Sequence, residues 1–429
     1  MLDLKFIRAN AELVKEGARK KRVECDVDGL LRLDEERRAL GQRVDGLRAR
    51  QKSAGKEMGK ATPEERARIL AEQKTLKDEL GGLEQRLAAL EKAMTELHLR
   101  VPNVPAAAVP EGKTDADNVE LERVGRPPVF DFVPRDHGEL GSAQDWLDVE
   151  AGARLAGSRN YVLKGDLALL EDAVLRLAME HMLAKGFVPL SVPTLVRYEP
   201  LLGTGYFPGG EEQTYRTDAR DELYLVGTAE VPVTALHAGE ILDSKELPKL
   251  YVARSACYRR EAGTYGKDTR GIFRVHQFQK VEQVVIDVAD EAKSVVHHQA
   301  ILQNSKEVLD MLGLHYRVVN VCGGDLGVPH VQKFDIETWM PFRNGFGETH
   351  SASRFHDYQA RRLDLRYRDA EGKVRACHTL NNTVAASTRM LIALLENHQQ
   401  ADGTVWLPEA LRRFMGGRER IGRKLAAKG

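Results

Sequence analysis

Apolar residues in the first hundred positions recur at helical rather than strand spacing. Ile69, Leu76, Leu83, Leu90 and Leu97 are spaced by seven, and Leu80, Leu87 and Met94 fall four residues after members of that series. Gln73 is the one polar residue in this seam. The spacing predicts about four heptads of coiled coil after Pro63, a helix over 64–100 that extends roughly 55 Å at ~1.5 Å per residue. Before Pro63, Leu33, Leu40 and Leu47 repeat by seven, with Val44 and Met58 in alternate positions, so a weaker seam precedes the turn. Gly55, Gly59 and Pro63 separate the two seams and allow an antiparallel hairpin. Residues 1–100 hold one aromatic, Phe6, against 25 in the remainder, too few to build a globular core.

Residues 101–135 contain six prolines alternating with charges and read as a linker. Beyond it the pattern changes again. Residues 167–185, 289–312 and 384–398 read as amphipathic helices, and Met390, Leu391, Leu394 and Leu395 as core positions. Between them lie β-rich runs at 187–196, 223–226, 249–260, 272–287, 315–322, 333–340 and 363–368. These strands follow one another without alternating with helices, which predicts an α+β fold with an antiparallel sheet flanked by helices. The expected organisation is a helical region over 1–100 with its hairpin from about 28, a linker over 101–135, and a catalytic domain over 136–429.

Composition narrows the function. With 64 basic and 64 acidic residues the chain has no global field for nucleic acid, so such a contact needs a local patch. One exists at the hairpin turn. Residues 48–60 carry Arg48, Arg50, Lys52, Lys56 and Lys60 against Glu57 alone. A solvated turn on a dimerising coiled coil and a contact to a phosphate backbone are both compatible with that patch. No run of about 18 apolar residues suggests a membrane span, and the charged N-terminus lacks a signal-peptide core. The four cysteines form no CxxC pair, which fits a reducing cytoplasm and argues against a local zinc site.

The segment from Arg254 to Glu282 carries the most chemistry. Two strand-like halves flank a glycine-rich loop, Gly263–Gly271. Arg259 and Glu261 share one strand face, as do Arg274, His276, Phe278, Lys280 and Glu282. A face presenting arginines, an aromatic and a carboxylate suits a ligand with phosphates, a stackable base and an amine.

This hairpin resembles the second signature motif of class II aminoacyl-tRNA synthetases, and most closely that of the seryl-tRNA synthetases. Gly227-Thr228-Ala229-Glu230 resembles that family's serine-site tripeptide. Glu348-Thr349-His350-Ser351, followed by Asp357-Tyr358-Gln359-Ala360-Arg361-Arg362, is similar to its metal and nucleotide strand. Thr379-Leu380-Asn381-Asn382-Thr383 and Arg389 resemble the third motif, and residues 186–196 sit where the dimer-forming first motif belongs. The heptad hairpin coincides with the family's long helical arm.

The resemblance implies ATP-dependent activation of L-serine to seryl-adenylate and transfer to the 3′ end of tRNA(Ser), with tRNA(Sec) a further candidate. It implies a cytoplasmic homodimer, whose hairpin reaches tRNA bound on the other subunit and contacts it through Arg48, Arg50, Lys52, Lys56 and Lys60. By the same resemblance Arg259, Glu348 and Arg389 are catalytic. Serine is bound by Thr228, Ala229, Glu230, Arg259, Glu282, Asn381 and Thr383. ATP is bound by Arg259, Arg260, Glu261, Arg274, Val275, Phe278, Glu348, Thr349, His350, Ser351 and Arg389. Glu348 and Ser351 are the implied ligands of a Mg²⁺ that accompanies ATP, with no zinc.

Departures from the family pattern are local. Ala352-Ser353-Arg354-Phe355-His356 replaces a stretch that often carries two cysteines, and Ser387-Thr388 precedes Arg389 where a glycine is common. Two other functions remain in view. An amino acid:carrier-protein ligase would share the catalytic sheet but lack the hairpin, and an inactive RNA-binding paralogue would have lost Arg259, Glu282, Glu348 or Arg389.

Overall fold

The computed structural model describes residues 1–59, 62–263 and 271–425. Lys60 and the middle of the glycine-rich loop lie outside them. The chain divides into two compact units, one of residues 1–19 and 23–102 and the other of residues 20–22 and 103–429.

In the first unit, α1 (Leu4–Ala9) and α2 (Ala11–Lys21) precede a long antiparallel pair, α3 (Val27–Met58) and α4 (Pro63–His98). Thr62 caps α4 reciprocally with Glu65, and Pro63 takes the first helical position, where a missing N–H costs nothing. Leu40, Val44 and Leu47 of α3 are buried against Leu76 and Leu83 of α4, with Leu80, Leu87 and Leu90 half-buried beside them. Gln73 is accommodated because its side-chain amide donates to the Gln51 carbonyl at 2.8 Å. Ion pairs Arg43–Glu79 (2.6 Å), Arg48–Glu84 (2.7 Å) and Arg50–Glu72 (3.2 Å) cross the hairpin.

The second unit is built on an eight-stranded sheet. Its strands are β1 (Val119–Val124), β2 (Val188–Leu190), β3 (Lys249–Tyr258), β4 (Gln277–Asp287), β5 (Tyr316–Asn320), β6 (Gln332–Met340), β7 (Gly345–His356) and β8 (His378–Ala386). The spatial order is β1-β5-β6-β7-β8-β4-β3-β2. All pairings are antiparallel except β2 with β3. Helices α5 (Gly165–Ala184), α7 (Glu291–Met311) and α9 (Ser387–His398) cover one face, while the short α6 (Glu230–Thr234) and α8 (Tyr358–Leu363) lie on the other. Strand alternation sorts the residues between them. Val281 and Val285 of β4 enter the helix-side core with Leu170 and Val174 of α5 and Met390, Leu391, Leu394 and Leu395 of α9. Val284 and Ile286 point to the opposite core, with Ala229, Val233 and Leu363. Each such side chain contributes roughly 1.5–3 kcal/mol by leaving water.

Several elements differ from the expectation. Val119–Val124, inside the stretch read as linker, pairs with β5 as an edge strand, its side chains mostly exposed. The run 187–196 divides into β2 and a separate strand, Leu195–Val196. The helix expected over 384–398 begins at Ser387, because the residues before it complete β8. Strands β7 and β8 carry no apolar alternation; only the family resemblance marks part of β7, at residues 348–351, as a strand. Both are central, with polar side chains on the face opposite the large core.

Candidate active site

The alternation that sends Val281 and Val285 to the core sends Phe278, Lys280 and Glu282 to the other face of β4. Asn381 and Thr383 of β8 and Ser351 and Ser353 of β7 join them there, since Thr383 pairs with Glu282 and Asn381 with Ser353 across the strands. These residues line one cleft together with Glu230, Arg259, Glu261, Arg274, Val275, Glu348, Thr349 and Arg389.

The described residues that flank the glycine-rich loop are locked to one another at the cleft. Arg259 N donates to His276 O at 2.9 Å, and His276 Nδ1 donates back to Arg259 O at 2.9 Å. Gln213 grips the next residues, accepting from Arg260 N and exchanging two side-chain hydrogen bonds with Ala262. Glu261 takes a left-handed backbone (φ 51°), and its carboxylate meets Arg274 Nη1 at 3.4 Å. The Arg259 guanidinium lies over the Phe278 ring, 5.3 Å from its centroid, and among the described residues no carboxylate pairs with it. A guanidinium aimed into a cleft without a counter-anion is prepared for an anionic ligand.

Arg389, in the first turn of α9, donates to Glu348 O at 2.6 Å and stands 3.4 Å from the Glu348 carboxylate. Its guanidinium stacks on Phe273, as does that of Arg343. Partial removal from water within the cleft opposes ionisation of Glu348. Arg389, Lys333 and Arg259 outweigh it and hold this carboxyl below the usual carboxylate range. Beside it, Asp335 is buried in register with Ser351, and its Oδ1 has no hydrogen-bond partner.

At the other end, Glu230 is buried with both oxygens held. Gln359 Nε2 donates to Oε1 at 2.8 Å and Tyr206 OH to Oε2 at 2.9 Å. Burial, and then the like charge of Glu282, push the Glu230 carboxyl up to about 7. Glu282 is met by the Lys280 ammonium, the two side chains 2% and 7% exposed, and by the Thr383 hydroxyl at 3.4 Å. Asn381, also buried, keeps an unpartnered Nδ2 at the cleft wall.

Not every expected residue reaches the cleft. Arg260 is exposed beside it. His350 turns into the interior, where Nε2 donates to Val384 O at 3.1 Å and Nδ1 accepts from the Thr349 hydroxyl at 2.8 Å. Burial lowers its pKa to about 4. Thr228 is buried, its hydroxyl accepting from Glu230 N at 3.2 Å, and Ala229 is part of the core. In the hairpin, Arg48 and Arg50 are paired across to α4, while Lys52 and Lys56 have no carboxylate partner among the described residues. Conversely, Tyr206, Phe273, Lys280 and Gln359 were not among the expected site residues. Lys280 shared a strand face with Phe278 and Glu282, a signal that was available. Tyr206 comes from an element distant in sequence that no local pattern marks, and Gln359 stands within the motif stretch 357–362 without a role read for it.

Comparison with known proteins joins the two units to one family. Residues 214–398 match the model of the tRNA synthetase class II core domain (G, H, P, S and T), and residues 1–105 match the seryl-tRNA synthetase N-terminal domain. The serine–tRNA ligase of Deinococcus radiodurans is 50% identical, over 98% of this chain and 99% of that protein. That of Thermobifida fusca is 46% identical over 97% and 98%. The crystal structure of seryl-tRNA synthetase from Pyrococcus horikoshii complexed with ATP superposes with a TM-score of 0.91 at 38% identity, covering 99% of this chain and all of that one. With both units matched and relatives aligned end to end, the chain belongs to the seryl-tRNA synthetase family of class II synthetases, which activate serine and charge tRNA with it.

Proposed function

We propose that the cleft on β4, β7 and β8 is where this serine–tRNA ligase joins serine to AMP and then passes it to tRNA(Ser). The supporting observation is the division of one cleft into two ends. Arg389 supplies fixed positive charge at one, beside Glu348, and Glu230, Glu282, Asn381 and Thr383 supply polar groups at the other.

In this reading Arg259 lies between the ends and binds the serine carboxylate and the α-phosphate together, a task for a planar fork. The carboxylate oxygen forms a bond to the α-phosphorus as the bond to pyrophosphate breaks. Charge builds on phosphate oxygens, so positioning and fixed cations account for the rate. Arg389 holds the γ-phosphate and Phe278 the adenine, with Glu261 and the Val275 backbone beside it. Glu282 receives the serine ammonium and Glu230 the hydroxyl. In the second step the tRNA 3′-terminal hydroxyl attacks the acyl carbon and AMP leaves.

The donor set suits Mg²⁺. Glu348 opens onto the cleft and Ser351 lines it, and the orphaned Asp335 oxygen lies in register with Ser351. Among the described residues no three His, Cys, Asp or Glu side chains cluster as a metal cage. One carboxylate and a hydroxyl fit an ion that keeps water and phosphate oxygens as ligands. Such an ion would neutralise phosphate charge.

Lys52 and Lys56, with Arg48 and Arg50, are proposed to grip the RNA backbone in a working homodimer in the cytoplasm. No described helix is long and apolar enough to cross a membrane. The test is to neutralise these four residues together. Serine-dependent pyrophosphate exchange should persist while charging of tRNA is lost. Loss of both activities would refute the division of labour, and absence of serine-dependent exchange in the parent protein would refute the assignment of the cleft.

A further inference from the structure

Gln359 does not itself line the cleft but stands directly behind Glu230, which does; it is fully buried and every polar atom of its side chain is used. Its Nε2 donates to Thr204 O at 3.0 Å and to Glu230 Oε1 at 2.8 Å, and its Oε1 accepts from the Thr379 hydroxyl at 2.6 Å. Thr204 O can only accept, so the amide cannot be turned around. The residue thereby ties together the helix Tyr198–Thr204, α6, α8 and β8.

Tyr206 completes the arrangement from the loop after that helix, donating to Glu230 Oε2. Each carboxylate oxygen has two lone-pair sites. The two donors take one on each oxygen and leave a second on each, and Glu230 lines the cleft. A carboxylate so held accepts a hydrogen bond from a ligand hydroxyl and offers nothing to a methyl group.

We infer that Gln359 is a positioning residue for serine specificity. Through its locked amide it holds the Glu230 carboxylate at the angle where a free lone pair meets the serine hydroxyl, with Tyr206 as the second support. The inference rests on the reading of Glu230 as the hydroxyl partner. Removing either donor frees the carboxylate to rotate, and the loss falls on recognition of the hydroxyl, leaving ATP binding alone. Alanine, which has no hydroxyl to place, should be affected much less than serine.

The test uses the full-length protein and serine-dependent ATP–pyrophosphate exchange, comparing Gln359→Met and Tyr206→Phe with the parent. A hydrogen bond to a charged group corresponds to about 10- to 150-fold in affinity. Gln359→Met should therefore raise the serine KM by about that factor, leave the ATP KM within about twofold, and lower the serine-over-alanine ratio of kcat/KM. Tyr206→Phe, the milder change, should move the same quantities in the same direction and carries the test if Gln359→Met does not fold. Serine KM unchanged in the folded variants would overturn the inference, as would serine and ATP KM rising together. Glu230→Gln separates the two levels of the argument. If it too leaves the serine KM unchanged, the reading of Glu230 itself fails. If it raises that KM while the Gln359 and Tyr206 variants do not, only the positioning role fails.

Discussion

The Glu230 carboxylate sets function against stability, and Glu230→Gln should separate them. In the folded protein this carboxyl ionises near pH 7 instead of the ordinary 4.5, because it is buried and faces Glu282. The unfolded chain releases the proton at the ordinary value. Between those pH values the folded state holds a proton that the unfolded state has lost, so stability falls as pH rises through the window. At ~1.36 kcal/mol per pH unit the penalty is complete above pH 7 and amounts to about 3 kcal/mol. Glutamine escapes it. Its amide can still accept from Gln359 and can donate to the Tyr206 oxygen, at a cost of about 1 kcal/mol for the poorer pairing. The variant should therefore be about 2 kcal/mol more stable at pH 8, gain nothing at pH 5, and lose serine activation. All three tryptophans, Trp146, Trp339 and Trp406, lie in the second unit, so urea unfolding followed by tryptophan fluorescence reports that unit alone. Equal stabilisation at both pH values, or destabilisation at pH 8, would refute the reasoning.

Three further outcomes are expected. Lys280→Met leaves Glu282 buried without its cation and should destabilise the unligated protein by about 3–5 kcal/mol. Serine, bringing its own ammonium, should recover more of the melting temperature in this variant than in the parent, and a smaller recovery would count against Glu282 as the amine site. Arg259→Lys keeps the charge but loses the fork, and should lower kcat for pyrophosphate exchange at least tenfold with melting temperature unchanged. Gly271→Ala should be more damaging than its size suggests. The backbone there has φ 68°, and an added Cβ would lie 1.9 Å from His137 Nε2. His137 in turn accepts from Ile272 N and donates to Glu396, so the end of the glycine-rich loop should loosen, and the ATP KM should rise.

The parts of the molecule legible in the sequence are those where burial follows a period. The hairpin seam repeats by seven because two helices bury one stripe each, and Leu40, Leu47, Leu76 and Leu83 are buried as that rule requires. Strands β3, β4 and β6 announce themselves through apolar runs against the large core. Strands β7 and β8 do not, since Glu348, Ser351, Asn381 and Thr383 face the cleft and replace the apolar residues a central strand ordinarily carries. Those polar residues were legible only through their order and spacing, which resembles one family. The pairing of support residues escapes both signals, although Gln359 stands inside the stretch 357–362 that carries the resemblance. It lies 129 positions from the Glu230 it holds, and although each stands in a recognised motif, nothing in either motif predicts that the two meet. His350 shows the converse. Its place inside a recognised motif suggested a ligand contact, while strand alternation turns it toward Val384.

The helical hairpin behaves mechanically as a zipper. Its stability is a sum over short segments, each contributing a pair or so of buried apolar side chains at roughly 1.5–3 kcal/mol apiece before entropy is subtracted. Opening from the turn therefore costs free energy in instalments, and no single cooperative event protects the outer part. Amide exchange should accordingly speed up steadily from the base of α3 and α4 toward Met58 and Pro63. A structure of that kind can yield locally near its turn and stay wound at its root, so an RNA backbone gripped there as proposed would meet Arg48, Arg50, Lys52 and Lys56 on the part of the hairpin that adjusts most easily.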